Sequence, residues 1–312
     1  MSFAFVFPGQ GSQSVGMMAA YAGNNDDAAV VREVFGEASQ ALGEDLWRMV
    51  ETGTPETLAR TVNTQPVMLT AGVAVWRLWR HRGGRLPACL AGHSLGEYAA
   101  LVAAGSLAFA DAVPLVRLRA AAMQEAVPLG TGAMAAVMGL DDDGIRAACE
   151  AAAQGEVVEA VNFNAVGQTV IAGHKAAVER AMAACKERGA KRAMALPVSA
   201  PFHSSLMRPA AEKLAAALAE INILPPSIPV LNNVDVAVES EPARIRDALI
   251  RQAYRPVRWV EIVRAMAARD VTRVVECGPG KVLAGLARRC ADGVEGIALS
   301  DAAALETNLN LE

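Results

Sequence analysis

The strongest chemical signal in the sequence is a serine between two glycines, in the run Gly92–His93–Ser94–Leu95–Gly96. The run follows an apolar stretch at residues 88–91 and opens an amphipathic one, which is the strand–turn–helix context of a nucleophile elbow. In such a turn the serine hydroxyl projects outward, and the glycines remove Cβ atoms that would clash. Ser94 would also lie at a helix N-terminus, where free N–H groups favour developing negative charge. The motif therefore predicts Ser94 as a catalytic nucleophile.

A second glycine-rich turn follows the first apolar run, in Phe7–Pro8–Gly9–Gln10–Gly11–Ser12. The two glycines leave the backbone N–H of Gln10 free to face a ligand, as in oxyanion holes and phosphate-binding loops. A dinucleotide-binding loop would need glycine where Ser14 stands. The run Gly278–Pro279–Gly280–Lys281 lacks the spacing of a phosphate loop, and Val282 replaces the hydroxyl residue that should follow the lysine. Both nucleotide-binding interpretations therefore fail.

A serine nucleophile needs a base, and the chain has four histidines. His81 lies between arginines at a helix end and His174 begins a helix, so we expect both near the surface. His93 adjoins the nucleophile, but neighbours in a tight turn point apart, which favours a supporting role. His203 lies on a loop between a strand and a helix, where catalytic side chains commonly lie. Elimination thus predicts His203 as the general base.

The elements that must position these residues alternate along the chain. Apolar runs typical of buried strands lie at residues 3–7, 88–92, 229–231 and 272–276. Stretches with helical periodicity lie at residues 65–79, 95–104, 112–126, 206–221 and 243–252. Strands that alternate with crossover helices indicate an α/β fold with a largely parallel sheet.

The segment 130–197 has a different order of elements. Its patterns predict strand, helix, strand, strand, helix and strand, at residues 133–139, 142–153, 157–161, 169–172, 176–188 and 192–196. This is the order of the ferredoxin-like split motif. Glycines and prolines at both ends of the segment mark two chain crossings. We therefore predict a hydrolase-like parallel-sheet core, residues 1–129 and 198–312, with an inserted ferredoxin-like small domain at 130–197.

Composition excludes several classes of protein. The 312 residues are 53% hydrophobic and carry a net charge of −4, unlike a nucleic-acid-binding protein with its basic stripe. No apolar run reaches the ~20 residues of a membrane span, and the N-terminal apolar run is too short for a secretory signal. The five cysteines are dispersed without metal-binding spacing, which fits a reducing compartment. We expect a cytoplasmic enzyme that binds neither nucleic acid nor membrane.

Six motifs occur in the same order as in a known family. They are FPGQGSQ, GHSLGEYAAL, NFNAVGQTVIAGH, a PFHS-type histidine loop, RQAYRPVRW and CGPGKVL. They cover nearly the whole chain except its last dozen or so residues, and several are long enough to be highly specific. The sequence resembles the bacterial malonyl-CoA:acyl-carrier-protein transacylases, the malonyltransferases of type II fatty acid synthesis. Within the histidine loop, Phe202 resembles the malonyl-type pattern that excludes an α-methyl branch.

The resemblance implies a ping-pong transfer of malonyl from malonyl-CoA to the phosphopantetheine thiol of acyl carrier protein, with no cofactor and no metal. Ser94 would carry the malonyl ester and His203 would move the proton. The backbone N–H groups of Gln10 and Leu95 would hold the oxyanion. A backbone carbonyl near Gln252, and no carboxylate, would orient the histidine.

The family also implies which residues bind the acyl group. Its arginine for the malonyl carboxylate lies twenty-five residues after the nucleophile, which is Arg119 in this chain. A planar guanidinium suits this task because it binds a carboxylate through two hydrogen bonds. Asn162 and Asn164 match small-domain residues that close over the site. Gln252 and His93 complete the predicted substrate-binding set.

Three other interpretations remain open. A serine hydrolase would share the elbow and use water in place of the thiol, although Arg119 and the inserted domain argue against it. A malonyltransferase subunit of a malonate-processing complex would use the same chemistry with a different carrier. A non-catalytic interaction protein on the same fold is disfavoured because Ser94, His203 and Arg119 are all present.

Overall fold

A parallel sheet forms the centre of the molecule, for which the computed structural model describes residues 2–198 and 200–311. Its strands are numbered in chain order, and from one edge of the sheet to the other they are β7 (Val230–Leu231), β2 (Cys89–Gly92), β1 (Ser2–Phe7), β8 (Val271–Glu276) and β9 (Glu295–Ala298). All neighbouring pairs are parallel. Strands β1 and β2 are apolar and buried almost throughout, as expected where helices cover both faces of a sheet. The predicted α/β class is confirmed.

The register of this sheet brings several loops to one edge. At the carboxyl ends of the strands, Phe7 pairs with Gly92, Val6 with Glu276, and Ala91 with Leu231. The residues that follow these ends therefore lie near one another, at 8–10, 93–94, 232–233 and from 277 onwards. Ligands of open parallel sheets bind in the crevice outside the carboxyl ends of the strands.

Helices make up much of the rest of the core. They are α1 (Asn25–Leu42), α2 (Leu46–Thr52), α3 (Pro55–Ala59), α4 (Thr61–His81), α5 (Gly96–Ala103), α6 (Phe109–Glu125), α9 (Arg208–Ala219), α10 (Pro242–Gln252), α11 (Trp259–Ala267), α12 (Val282–Cys290) and α13 (Ala302–Asn308). Helix α4 is buried along most of its length, and its Trp76 and Trp79 pack edge-on against Phe5 of β1. This packing fixes one wall of the site relative to the sheet.

Several elements differ from the sequence prediction at their ends. The helix predicted at 206–221 starts with a 3₁₀ turn, Ser205–Met207, before α9, whose first turn contains Pro209. Proline is tolerated there because its missing N–H has no intrahelical partner. The helix predicted from residue 112 begins earlier, at Phe109. Strand β9 was not predicted, since it is short and begins with Glu295 and Gly296.

A second, antiparallel sheet lies within the predicted insertion. Its strands are β3 (Gly132–Met138), β4 (Val158–Ala165), β5 (Gln168–His174) and β6 (Arg192–Ala195), in the spatial order β4-β5-β3-β6. Helices α7 (Asp142–Ala153) and α8 (Lys175–Glu187) share one apolar core with this sheet. The arrangement confirms the ferredoxin-like part of the predicted fold. The exact domain limits, 129/130 and 197/198, stay a prediction, and the sheet lies inside them.

Strand β4 joins the small sheet to the core. The N–H of Val257 donates to Val161 O at 2.8 Å, and the N–H of Phe163 donates to Val257 O at 3.0 Å. This attachment carries Asn162 and Asn164 toward the loop after β2.

All five cysteines are buried and form no disulfide. In the described ranges, 2–198 and 200–311, no helix is both long enough and apolar enough to cross a bilayer.

Candidate active site

Ser94 lies in a sharp turn between β2 and α5. Its backbone is left-handed, with φ of 52°, a conformation that costs free energy in a residue other than glycine. A Cβ on Gly92 would lie 1.8 Å from the carbonyl carbon of Gly96, and a Cβ on Gly96 would lie 2.0 Å from Phe7 O. Both positions therefore require glycine. The turn has the strained geometry that the sequence predicts for a nucleophile elbow.

The Ser94 hydroxyl faces the imidazole of His203, with Oγ 2.7 Å from Nε2. The other ring nitrogen, Nδ1, lies 2.8 Å from the main-chain oxygen of Gln252. Because a carbonyl oxygen can only accept, Nδ1 carries the proton and Nε2 offers its lone pair to the serine. A main-chain carbonyl thus orients the ring in the tautomer that a general base requires.

Burial keeps His203 neutral. The residue is only 3% exposed, and desolvation, reinforced by the positive charge of Arg119, lowers its pKa to about 3. A neutral imidazole is the form that accepts a proton. His203 can therefore act as a base without first losing a proton to solvent.

Two backbone N–H groups beside Ser94 are available to an oxyanion. In the described part of the chain, neither Gln10 N nor Leu95 N donates to another backbone group. The side chain of Gln10 is held in place, since Nε2 donates to Thr61 Oγ1 at 3.0 Å and Oε1 accepts from Gln65 Nε2 at 3.3 Å. The role of these two N–H groups stays a prediction, and the loop geometry permits it.

Arg119 is a buried cation whose hydrogen bonds go to neutral acceptors. It is 2% exposed, and Nη1 donates to Gln65 Oε1 at 2.8 Å. Its Nη2 donates to Gln252 Oε1 at 2.9 Å and to Ser94 Oγ at 3.2 Å, while Nε has no partner among the described residues. A buried charge costs free energy unless an opposite charge pairs with it. The guanidinium can therefore bind an anion next to the nucleophile, and that it does so stays a prediction.

Arg117 lies on the same helix and does not reach the site. Its two terminal nitrogens each donate to Glu44 at 2.8 Å, in a bidentate pair at the surface. Residues two apart on a helix face different directions. Of the two arginines, Arg119 is the one in contact with Ser94, and it is the residue that the resemblance to the family indicated.

Asn233 and Gln65 belong to the site although the sequence analysis did not name them. The N–H of Ser94 donates to Asn233 Oδ1 at 2.8 Å, and Asn233 Nδ2 donates to Gly92 O at 2.7 Å. Asn233 therefore binds the backbone of the elbow at two points, Gly92 and Ser94. The available signals were weak: an asparagine just after a strand, and a glutamine at the start of an apolar helical run.

The small domain contributes Asn162 and Asn164 in two different positions. Asn162 lines the cavity beside the nucleophile, and its Oδ1 is buried with no partner in the part of the chain that the structure describes. Asn164 lies behind His93, with its Oδ1 2.8 Å from His93 Nε2. His93 itself lines the cavity and packs against Trp259. Asn162 and His93 line the cavity and Asn164 contacts His93; substrate binding by these three residues stays a prediction.

The predicted substrate residue Gln252 is placed behind the cavity wall. It is fully buried, where its main-chain oxygen contacts His203 and its side chain contacts Arg119. A direct contact between Gln252 and substrate stays a prediction, and the geometry gives this residue a supporting position.

The cavity at Ser94 is small and partly lined by apolar side chains. It has a volume of about 140 Å³, and its apolar lining consists of Met123, Met134, Leu196, Val198 and Phe202. A larger groove, of about 550 Å³, lies between α7 and the loop after α10 and contains none of the predicted residues. Over residues 2–198 and 200–311, no group of three or more His, Cys, Asp or Glu side chains could hold a metal ion.

Known proteins are similar to this chain in sequence and fold. The model of a family described as the acyl transferase domain matches residues 4–304. The malonyl CoA-acyl carrier protein transacylase of Salmonella typhimurium is 58% identical over 307 residues, which is 98% of each chain. The enzyme of that name from Bacillus subtilis is 44% identical over 306 residues, covering 97% of this chain and 95% of the relative.

Solved structures agree over the full length. The acyl-carrier-protein S-malonyltransferase from Burkholderia pseudomallei 1710b superposes with a TM-score of 0.96 at 59% identity and covers 100% of both chains. A malonyl-transacylase solved in complex with its type II PKS acyl-carrier protein has a TM-score of 0.97 at 51% identity, again over 100% of both chains. The similarity thus includes the C-terminal residues that the sequence motifs do not reach.

Proposed function

The chain belongs to the acyl transferase domain family and, within it, to the malonyl CoA-acyl carrier protein transacylases, and we propose that it transfers malonyl from malonyl-CoA to an acyl carrier protein for fatty acid synthesis. The buried position of Arg119 beside Ser94 is the observation that supports malonyl as the acyl group. Its buried guanidinium contacts Ser94 Oγ at 3.2 Å and forms its hydrogen bonds with neutral acceptors. A free carboxylate on the acyl group would place a negative charge in direct contact with the guanidinium, which none of its hydrogen-bond partners among the described residues does.

The first half-reaction forms an acyl-enzyme. Ser94 Oγ attacks the thioester carbon of malonyl-CoA while His203 Nε2 takes the hydroxyl proton. The negative charge on the former carbonyl oxygen is stabilised by the N–H groups of Gln10 and Leu95. When the tetrahedral intermediate collapses, the carbon–sulfur bond breaks and the coenzyme A sulfur takes the proton from His203. The product is a malonyl ester on Ser94.

The second half-reaction repeats these steps with the thiol of the carrier. The phosphopantetheine thiol gives its proton to His203 Nε2, and the sulfur attacks the ester carbon. Collapse then breaks the bond to Ser94 Oγ, which recovers the proton. Nucleophile, base and oxyanion donors all come from the chain, so we propose that the reaction needs no cofactor.

A protein carrier is supported by the structural relatives. The malonyl-transacylase with a TM-score of 0.97 was solved with its acyl-carrier protein bound. A malonate-processing subunit would use the same residues with another carrier. A hydrolase for neutral esters would have no use for Arg119, whose buried charge would go unpaired. We place the reaction in the cytoplasm, because a reducing compartment suits five free cysteines.

Mass spectrometry after mixing the protein with malonyl-CoA alone tests the proposal. We expect a malonyl adduct on the peptide containing Ser94, which transfers to acyl carrier protein when the carrier is added. Ser94→Ala should abolish the adduct, and Ser300→Ala, at an exposed serine, should not change it. Burial raises the pKa values of the Cys89, Cys149 and Cys290 thiols. Because the thiolate is the reactive form, these cysteines are weaker nucleophiles than Ser94 for the malonyl group. An adduct on a cysteine would contradict the mechanism.

A further inference from the structure

Glu97 is a buried carboxylate that the proposed mechanism does not use. It lies in the first turn of α5, three residues after the nucleophile, and is 2% exposed. Its Oε2 accepts two hydrogen bonds, from the main-chain N–H of Asn233 and from Gln252 Nε2, both at 2.9 Å. Burying a carboxylate costs free energy, and apolar side chains occupy most neighbouring positions of the core. The two residues that Glu97 binds indicate what it does.

Gln252 connects Glu97 to both groups that face the serine. Its Nε2 donates to Glu97 Oε2 and also to Ser94 O at 2.9 Å. Because Nε2 donates its two hydrogens to Glu97 and Ser94, Oε1 lies at the opposite side of the amide group. There it accepts from Arg119 Nη2 at 2.9 Å. The main-chain oxygen of Gln252 accepts from His203 Nδ1 at 2.8 Å. One residue thus orients both the cation and the base.

Asn233 connects Glu97 to the other side of the elbow. While its main-chain N–H binds Glu97, its Oδ1 accepts from Ser94 N at 2.8 Å and its Nδ2 donates to Gly92 O at 2.7 Å. Ser94 therefore has its N–H held by Asn233 and its C=O held by Gln252. Both of these residues donate to the same carboxylate oxygen of Glu97.

We infer that Glu97 is a positioning residue for the proposed malonyl transfer: through Gln252 and Asn233 it fixes Arg119, His203 and the strained Ser94 backbone in their reactive arrangement. The inference rests on the proposed function. In many serine enzymes a carboxylate contacts the catalytic histidine directly and orients it. Here the carboxylate of Glu97 would orient His203 through one intervening residue, Gln252. The alternative is that Glu97 merely satisfies buried N–H groups and fills space.

Two variants of nearly equal size separate these roles. Glu97→Gln keeps an oxygen that can accept from Asn233 and Gln252, whereas Glu97→Met keeps the length and removes the acceptor. With malonyl-CoA and acyl carrier protein, we expect Glu97→Met to lower kcat by about 10- to 100-fold, with KM changed by less than about threefold. Its malonyl-to-acetyl ratio in kcat/KM should also fall, because Arg119 loses its fixed direction. Glu97→Gln should stay within about fivefold of wild type in kcat.

Glu276→Met is the matched control for a lost buried carboxylate. Glu276 is fully buried and its Oε2 accepts from the N–H of Ala284 in α12, which is not a residue of the proposed site. We expect this variant to lower the melting temperature while leaving kcat and the malonyl-to-acetyl ratio unchanged. Should Glu97→Met fail to fold, Glu97→Asp replaces it, since a shorter carboxylate cannot reach both donors and should show the same loss of kcat.

A double-mutant cycle completes the test. Because one of the two routes from Glu97 runs through the Gln252 side chain, Glu97→Met should lower kcat less in a Gln252→Ala background than in wild type. Equal kcat values for Glu97→Met and Glu97→Gln, or fully additive effects, would overturn the inference. A wild-type protein that forms no malonyl ester on Ser94 would instead overturn the proposed function, so the two failures are distinguishable.

Discussion

Ser94 and His203 meet at 2.7 Å through Oγ and Nε2, and both have left-handed backbones, with φ values of 52° and 66°. Each such conformation costs about 1–3 kcal/mol and persists only where the surrounding structure holds it. The Ser94 N–H donates to Asn233 and the Ser94 carbonyl accepts from Gln252, while a main-chain carbonyl holds the His203 ring. The strain lies at the two residues that are proposed to exchange a proton.

The elbow should not tolerate a side chain at Gly92. In Gly92→Ala the new Cβ would lie 1.8 Å from Gly96 C, so the turn must open and the hydroxyl must move away from His203. We expect at least a 100-fold loss of malonyl transfer, about 2.7 kcal/mol of transition-state stabilisation, and a lower melting temperature. Gly36→Ala is the control, because its Cβ meets nothing within 4 Å and residue 36 lies on the exposed face of α1. It should raise stability by about 0.5–1 kcal/mol, and normal activity in Gly92→Ala would contradict the elbow.

Removing the base should slow transfer while preserving the fold. We expect His203→Ala to lower kcat by about 10²–10⁴-fold, the usual contribution of general acid–base catalysis. His81→Ala, at an exposed helix end, should leave kcat unchanged in the same coupled assay of coenzyme A release. Full activity of His203→Ala would transfer the role to another group, with His93 the first candidate.

The pH dependence of kcat/KM reports the free enzyme. Because burial and the charge of Arg119 lower the pKa of His203 to about 3, the base stays neutral and kcat/KM should not show the decline near pH 6.5 that an ordinary histidine would cause. In Arg119→Ala the nearby positive charge is gone, so any decline caused by His203 should move to higher pH. A wild-type decline centred at pH 6.5 and absent from His203→Ala would show that the base titrates normally.

The nucleophile could be predicted from sequence because its geometry is local. A turn of five residues contains the glycines, the serine and the helix start, and elimination among four histidines indicated the base. Asn233, Gln65 and Glu97 were missed because their roles depend on contacts with residues far away in the chain. Ser94 and Asn233, for example, are 139 positions apart. A pattern along the chain shows that such residues are polar, and only the folded chain shows what they bind.

Stability should respond to pH through Glu276. Burial raises the pKa of this carboxyl from 4.5 to about 7, so the folded state binds the proton more tightly than the unfolded chain. The stability that this proton provides is fully present below about pH 4.5 and is lost as the pH rises through 7. Glu276→Gln stays neutral, and its melting temperature relative to wild type should therefore rise between pH 4.5 and 8. Glu150→Gln, at an exposed position, should show a difference that does not vary with pH, and a flat difference for Glu276→Gln would refute this assignment.

Arg119 is proposed to select an acyl group that carries a carboxylate, and the ratio of kcat/KM for malonyl-CoA to that for acetyl-CoA measures this selection. A charge-assisted hydrogen bond contributes about 1.5–3 kcal/mol, so Arg119→Ala should lower the malonyl value by at least about 10- to 100-fold. The acetyl value should hold or rise, since acetyl has no partner for the buried cation. Arg119→Lys should recover little, because an ammonium cannot reproduce the planar fork. Arg117→Ala, which removes the surface pair with Glu44, is the control and should leave the ratio unchanged. A ratio that falls in Arg119→Ala alone is the predicted result, and a ratio equal to that of wild type would contradict the account.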